Sequence, residues 1–165
     1  MSVPTRRFRL APMSPLIWFL TLILLALPVV LLAVGRGKWL LGAPALLVIA
    51  IYGWVWLRFR PSSFMVHPGS LEVVWPLKRR QIRRESITSV RLIEGRALRR
   101  ELGWCMRIGA GGLWGAFGWL WTQRRGMVQM YISRTDGFVW IERGAERPWL
   151  ITPEQPQAFV SALSS

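Results

Sequence analysis

LIWFLTLILLALPVVLLAV (16–34), a four-residue break GRGK (35–38) and WLLGAPALLVIAIYGWVWL (39–57) decide the architecture: two runs of 19 residues, neither holding a charge. A helix rises about 1.5 Å per residue, so each run matches the roughly 30 Å hydrocarbon core of a bilayer, where a helix satisfies its own backbone. The pair reads as a transmembrane helical hairpin with helices at about 16–34 and 39–57. A signal peptide is the rival reading of the first run, because Arg6, Arg7 and Arg9 resemble a charged leader and Ala33-Val34-Gly35 a small-residue cleavage site. The run is too long for such a leader, and the second run would still anchor the chain.

Basic residues near the helix ends set the orientation. Arg6, Arg7 and Arg9 precede the first helix, Arg36 and Lys38 lie in the turn, and Arg58, Arg60, Lys78, Arg79, Arg80, Arg83 and Arg84 follow the second. The positive-inside rule then puts both termini in the cytoplasm and leaves only about Gly35–Lys38 outside. The aromatic residues agree, with Trp18, Phe19, Tyr52, Trp54 and Trp56 at one face and Trp39 at the other. Pro28 should kink the first helix, and Ala26 and Ala33 could face Ala50 and Ala43 in a seam of small residues.

The chain divides into residues 1–60, a basic lead-in plus the hairpin, and 61–165, enough for one small domain. The lead-in, with Pro4, Pro12 and Pro15, is expected to be poorly ordered. A net charge of +14 raises the question of nucleic acid, but all 8 acidic residues follow residue 60, with 15 of the 22 Lys and Arg, leaving +7 on each side of the division. Half of the excess is therefore orientation signal, and the other half suits an anionic inner leaflet, where each nearby Lys or Arg contributes about 1 kcal/mol of attraction. Nucleic-acid binding is the less favoured reading. One cysteine, Cys105, and one histidine, His67, exclude an intramolecular disulfide and most metal and triad chemistry, so neither a metal nor a cofactor is expected. Glu94, Glu101, Glu142 and Glu146 suggest no acid/base pair, and the expectation is a protein without enzymatic activity.

After Pro61 the pattern changes to short strands and turns. Strands are expected at 64–66, 71–75 and 86–92, with 93–108 open between loop, helical turn and strand. MVQMYISR (127–134) and FVWIER (138–143), joined by Thr135-Asp136-Gly137, read as a hairpin, and Pro148–Ile151 as a further strand. The end reads as a helix with Thr152 as N-cap, Pro153 at its first position and Gln155 completing a capping box; Phe159, Val160 and Leu163 form its apolar side.

IRRESITSVRLIEG (82–95), with Ile87 and Val90, GAGGLWGAFGW (109–119) and LITPEQPQAFVSAL (150–163), with Thr152, Pro153, Glu154, Phe159 and Val160, resemble the membrane-anchored bacterial PH-like (pleckstrin-homology-like) domain families. The resemblance covers nearly all of 61–165. It implies a mainly-β PH-like barrel closed by a C-terminal capping helix and preceded by two membrane helices. It also implies a binding and assembly module on the cytoplasmic face of the cell membrane rather than an enzyme. A protein partner, a second copy of the chain or anionic lipid headgroups are the candidate ligands.

Two stretches are candidate surfaces. Lys78, Arg79, Arg80, Arg83 and Arg84, with Arg124 and Arg125, could clamp anionic headgroups; the plain alternative is solvated strand faces. Trp114, Phe117, Trp119 and Trp121 could place their rings at the membrane interface, against the alternative of domain core. The glycines of 109–118 match no nucleotide-binding loop and could instead bend a pair of strands.

Overall fold

The computed structural model describes residues 5–35 and 39–164. Strand β1 (Arg6–Arg9) leads into helix α1 (Pro15–Val34), and helix α2 (Trp39–Arg58) returns antiparallel to it. The turn expected at Gly35–Lys38 falls largely outside the described residues, as does the side chain of Trp39. Helix α1 is long and apolar enough to cross a membrane; the side chains of α2 are described over Gly42–Arg58, so among the described residues α1 is the one clear candidate span.

The helices do not meet along the expected alanine seam. Ala26, Ala33, Ala43 and Ala50 are exposed, while Thr21, Leu24, Pro28 and Leu31 of α1 and Ala45, Val48, Tyr52 and Val55 of α2 are the covered positions. These recur at three- and four-residue spacing, the stripe a helix presents to a neighbour. The Tyr52 hydroxyl donates to the Leu24 carbonyl across this seam at 2.7 Å.

The β portion consists of two sheets and is not a closed barrel. Strands β1, β2 (Ser63–His67), β3 (Ser70–Val74) and β4 (Arg79–Arg83) form a four-stranded antiparallel sheet in that order. From Arg6 to Arg9 the lead-in, expected to be poorly ordered, is a paired strand, with Phe8 opposite Phe64. A 3-10 turn at Arg84–Ser86 then carries the chain to β5 (Ser89–Ile93) at the edge of the second sheet, and this passage leaves no ladder between the sheets.

Residues 93–108 fold as helix α3 (Gly95–Leu102) followed by β6 (Cys105–Gly111). Next come β7 (Ala116–Thr122), β8 (Gly126–Ile132), β9 (Phe138–Arg143), β10 (Glu146–Ile151) and helix α4 (Pro156–Ser164). The second sheet has the order β5-β9-β10-β8-β7-β6. The expected hairpin of 127–134 with 138–143 does not form, because β10 lies between them, parallel to β8 and antiparallel to β9. Trp149, Leu150 and Ile151 of β10 are essentially sealed from solvent, and this apolar end of the strand lies in the interior of the sheet between β8 and β9.

The expected capping box does not form either. The Thr152 hydroxyl accepts the Ser133 N–H at 2.9 Å, and the helix begins at Pro156, whose missing N–H costs nothing in a first turn. Phe159, Ala162 and Leu163 of α4 enter the core between the sheets, with Phe159 edge-on to Phe8 and Phe64. Helix α4 thereby plugs the sandwich on the β5 side. On the outer face of the second sheet, Leu98 and Leu102 of α3 cover Leu120, Val128, Trp140 and Leu150.

Candidate functional site

The glycine-rich hairpin β6–β7 joins the domain to the helices. Gly109 and Gly118 face each other across it, and a Cβ at either would meet the opposite strand's carbonyl oxygen within 2.7 Å. At the turn Gly115 has φ 146°, with Ile132 O 2.3 Å from where a Cβ would stand. The stretch is the glycine-bent strand pair the sequence allowed.

The tip of this turn is held by a helix side chain. The Thr21 hydroxyl donates to the Gly112 carbonyl at 3.0 Å and accepts the Trp114 N–H at 2.9 Å. Trp114 has φ 59°, a left-handed conformation that costs a bulky residue about 1–2 kcal/mol, so its backbone bond to Thr21 and its packing hold it there. Its half-buried ring stands edge-on to Trp56, 4.7 Å between centroids, and to Tyr52 at 6.5 Å. One hydroxyl thus satisfies two backbone groups 91 and 93 residues away.

Cross-strand register defines one row on the sheet face turned toward β1–β4: Ile141, Trp149, Gln129, Trp119, Ile108. Ile141 and Trp149 are sealed, Trp119 is half-buried, and Ile108 is 46% exposed. The first sheet ends over β8, where Arg80 Nη1 donates to Gln129 Oε1 at 3.2 Å. Beyond it Trp104, Met106, Ile108 and Trp121 stand exposed along edge strand β6 and its neighbour, with Trp104 and Trp121 edge to face at 5.8 Å. An apolar group of this kind beside an unpaired strand edge is what interaction surfaces present. Phe117, two residues before Trp119, is only 1% exposed and belongs to the core rather than to any surface.

The basic residues are dispersed. Alternation along β4 turns Arg80 inward with Ile82 and leaves Arg79 and Arg83 outward. Arg79 reaches Glu72 at 3.8 Å, and Arg84 donates to the Leu163 carbonyl at 2.6 Å, at the end of α4. Lys78 lies over the Trp75 ring at 4.5 Å; burial and the charges of Arg58 and Arg80 lower its pKa. Arg124 donates to the Arg100 carbonyl and Arg125 pairs with Glu101, both beside α3. Burial raises the Glu101 carboxyl, but bonds from Arg91 and Arg125 leave it below its ordinary value. Lys78 and Arg80 therefore share a flank, while Arg83 with Arg84 and Arg124 with Arg125 occupy two others.

Sequence reasoning missed Arg143 and Arg147. Arg143 is 4% exposed, and its guanidinium lies 5.1 Å from the Trp149 ring, on which Arg80 also lies at 5.4 Å. Arg147 covers Trp119 at 4.9 Å. Burial lowers the Arg143 pKa, with Glu146 opposing and Arg80 reinforcing the fall. Beside them burial pushes the Tyr131 phenol up to about 12, against opposite pulls from Arg80 and Gln129. The signal was present in the sequence: Val139, Ile141 and Arg143 share one strand face, which puts a charge in register with two core positions.

Comparison with curated proteins and with solved structures finds no match. A family model described as Bacterial PH domain matches residues 62–165, well over half of the chain. Domains of this kind are generally binding modules rather than catalysts. On that match, carried by the same segments that build the two sheets and the closing helix, the chain belongs to the bacterial PH domain family.

Proposed function

We propose that this protein is a membrane-anchored binding and assembly module whose α1–α2 hairpin spans the cell membrane, with both termini and the domain on the cytoplasmic side. Its protein partner adds an acidic, extended segment along the β6 edge. The observation that carries the reading is the uncovered half of the second sheet, where Trp104, Met106, Ile108 and Trp121 are exposed beside an unpaired edge. Main-chain pairing at a sheet edge gives affinity, and alternate side chains give specificity. Charge selects the partner: β6 carries Arg107, Arg124 and Arg125 lie beyond its start, and residues 61–165 hold an excess of +7. Two such domains repel each other, whereas an acidic strand is attracted. The Thr21 clasp supports the anchored part of the reading, since it holds this hairpin against the helices.

A second reading has one observation in its favour. Lys78 lies close enough to Arg58 at the end of α2 to feel its charge, which gathers cations where anionic headgroups would be. Nucleic acid is less well served, because the remaining basic residues are spread over separate flanks.

A photo-crosslinker at position 106 or 108 of the full chain in native membranes tests the partner. The reading expects adducts whose mapped segment is acidic and extended, with none from position 99 on α3. A mapped segment from a second copy would make this a self-assembling module, and equal adducts from positions 99 and 108 would sink the edge as a binding surface.

A further inference from the structure

The open flank holds a cluster of donors that outnumbers its acceptors. Arg80 and Arg143 share the Trp149 indole, and Arg147 lies over Trp119, two strand spacings away, about 10 Å. Among the described residues, Arg143 pairs with Glu146, while Arg80 and Arg147 have no carboxylate partner. Two sealed donors in the same place, Arg143 Nε and Trp149 Nε1, have no hydrogen-bond partner. Gln129 is fully committed, its Oε1 accepting from Arg80 and its Nε2 donating to Tyr131.

Native interiors leave few buried donors unsatisfied, and here a single carboxylate, Glu146, stands against three guanidiniums. The acceptors present, Glu146 and Gln129, are already engaged by Arg143 and Arg80, so a component that serves the remaining donors must accept several hydrogen bonds and carry negative charge. A phosphate group does both, and guanidinium forks match its oxygens.

We propose that Arg80, Arg143 and Arg147 form a binding site for a phosphate-bearing anion at the open flank between the two sheets. This deepens the binding-module reading by giving the domain a second ligand class on a surface adjoining the β6 edge. The anion bridges Arg80 and Arg147 at the flank mouth and neutralises the field felt by Arg143 behind them. Arg80 stands on β4 of the first sheet and Arg143 and Arg147 on β9 and β10 of the second, so a bound anion also ties the sheets to each other.

The test uses the full chain in phosphatidylcholine nanodiscs, melted in inorganic pyrophosphate or in sodium chloride of equal ionic strength and followed by tryptophan fluorescence. Pyrophosphate should raise the apparent melting temperature in a saturable way, as a ligand selective for the folded state does, and sodium chloride should not. Arg80→Gln and Arg147→Gln, both at exposed positions, should each weaken the pyrophosphate response about tenfold, whereas Arg99→Gln on α3 should leave it unchanged. Discs of phosphatidylcholine mixed with phosphatidic acid separate the sources. If a lipid headgroup fills the site, the wild type melts higher in these discs, and this gain is lost in Arg80→Gln. If the ligand is a free phosphate compound, mixed discs leave the pyrophosphate titration unchanged. Equal melting in pyrophosphate and matched sodium chloride, or an undiminished response in both variants, would overturn the site. Neither result bears on cross-linking at the β6 edge, so the two proposals fail separately.

Discussion

Trp149 and Trp121 point to the same face of the same sheet, yet Trp149 is sealed and Trp121 is 38% exposed. Their strands alternate alike and their neighbours are equally apolar. What differs is cover: β1–β4 and α4 roof the strands from β5 to β8 and the Phe117 end of β7, and the roof stops at Arg80. An inward apolar position on a strand therefore predicts burial only if another layer reaches it. The unroofed half keeps the composition of a core while standing at a surface, which is the physical description of a docking face.

The sharpest way to break this comparison is to truncate an aromatic on each side of the boundary. Phe117→Ala removes a ring with 1% exposure from between the sheets and should destabilise the full chain by about 3–5 kcal/mol. Trp121→Ala, four residues along the same face, should cost far less. Denaturation in detergent micelles followed by tryptophan fluorescence measures both, and equal losses would mean that the two halves are one core.

A smaller effect sharpens the comparison at the place where the open half meets the helices. Thr21→Val keeps the shape of the side chain but leaves the Gly112 carbonyl and the Trp114 N–H without their partner, at a cost of about 1–3 kcal/mol. Thr21→Ser should restore both bonds. Hydrogen exchange at the Trp114 amide reads the clasp directly: it should be slow in wild type and Thr21→Ser and fast in Thr21→Val. Unchanged exchange in Thr21→Val would show that ring packing on Tyr52 and Trp56 holds the turn unaided.

Local periodicity carried the parts of the fold that depend on neighbours in sequence. The apolar runs placed α1 and α2, alternation placed β2 and β3, and Phe159 and Leu163 lie on the inner side of α4 as their spacing requires. Long-range pairing was not legible. The Asp136-Gly137 turn reads as a hairpin because tight turns usually make one, and nothing within 127–143 says that Trp149–Ile151 will enter between its strands. Thr152 is a good helix cap on its own, but the buried Ser133 backbone competes for the same hydroxyl and wins. The Lys78–Arg84 run was legible as charge and not as a site, since alternation and the chain reversal at Arg84–Ser86 distribute it over two flanks. Thr21 carried no signal at all: a lone threonine in an apolar helix looks the same whether or not a distant turn uses it.

The smallest expected effect is also the most discriminating. Ile108 is 46% and Trp121 38% exposed, so Ile108→Ser and Trp121→Ser forfeit only part of the burial a core residue would lose. Each should change stability by about 1–2 kcal/mol, the share of the transfer term that their partial burial carries and well short of the Phe117→Ala loss. The same changes remove the anchors on which a partner strand would pack, and truncating a central interface anchor typically costs about 2 kcal/mol or more in binding. Melting and partner cross-linking measured on the same preparations should therefore part company: a melting temperature lowered only modestly, far less than in Phe117→Ala, with cross-links from position 106 largely lost. If Ile108→Ser melts the domain as severely as Phe117→Ala, the exposed half is held by its own packing and the β6 edge is not a docking face. If stability and cross-linking are both untouched, the partner reads the edge through its backbone alone, and a proline at position 107, which removes an N–H from the edge, becomes the substitution that must abolish it.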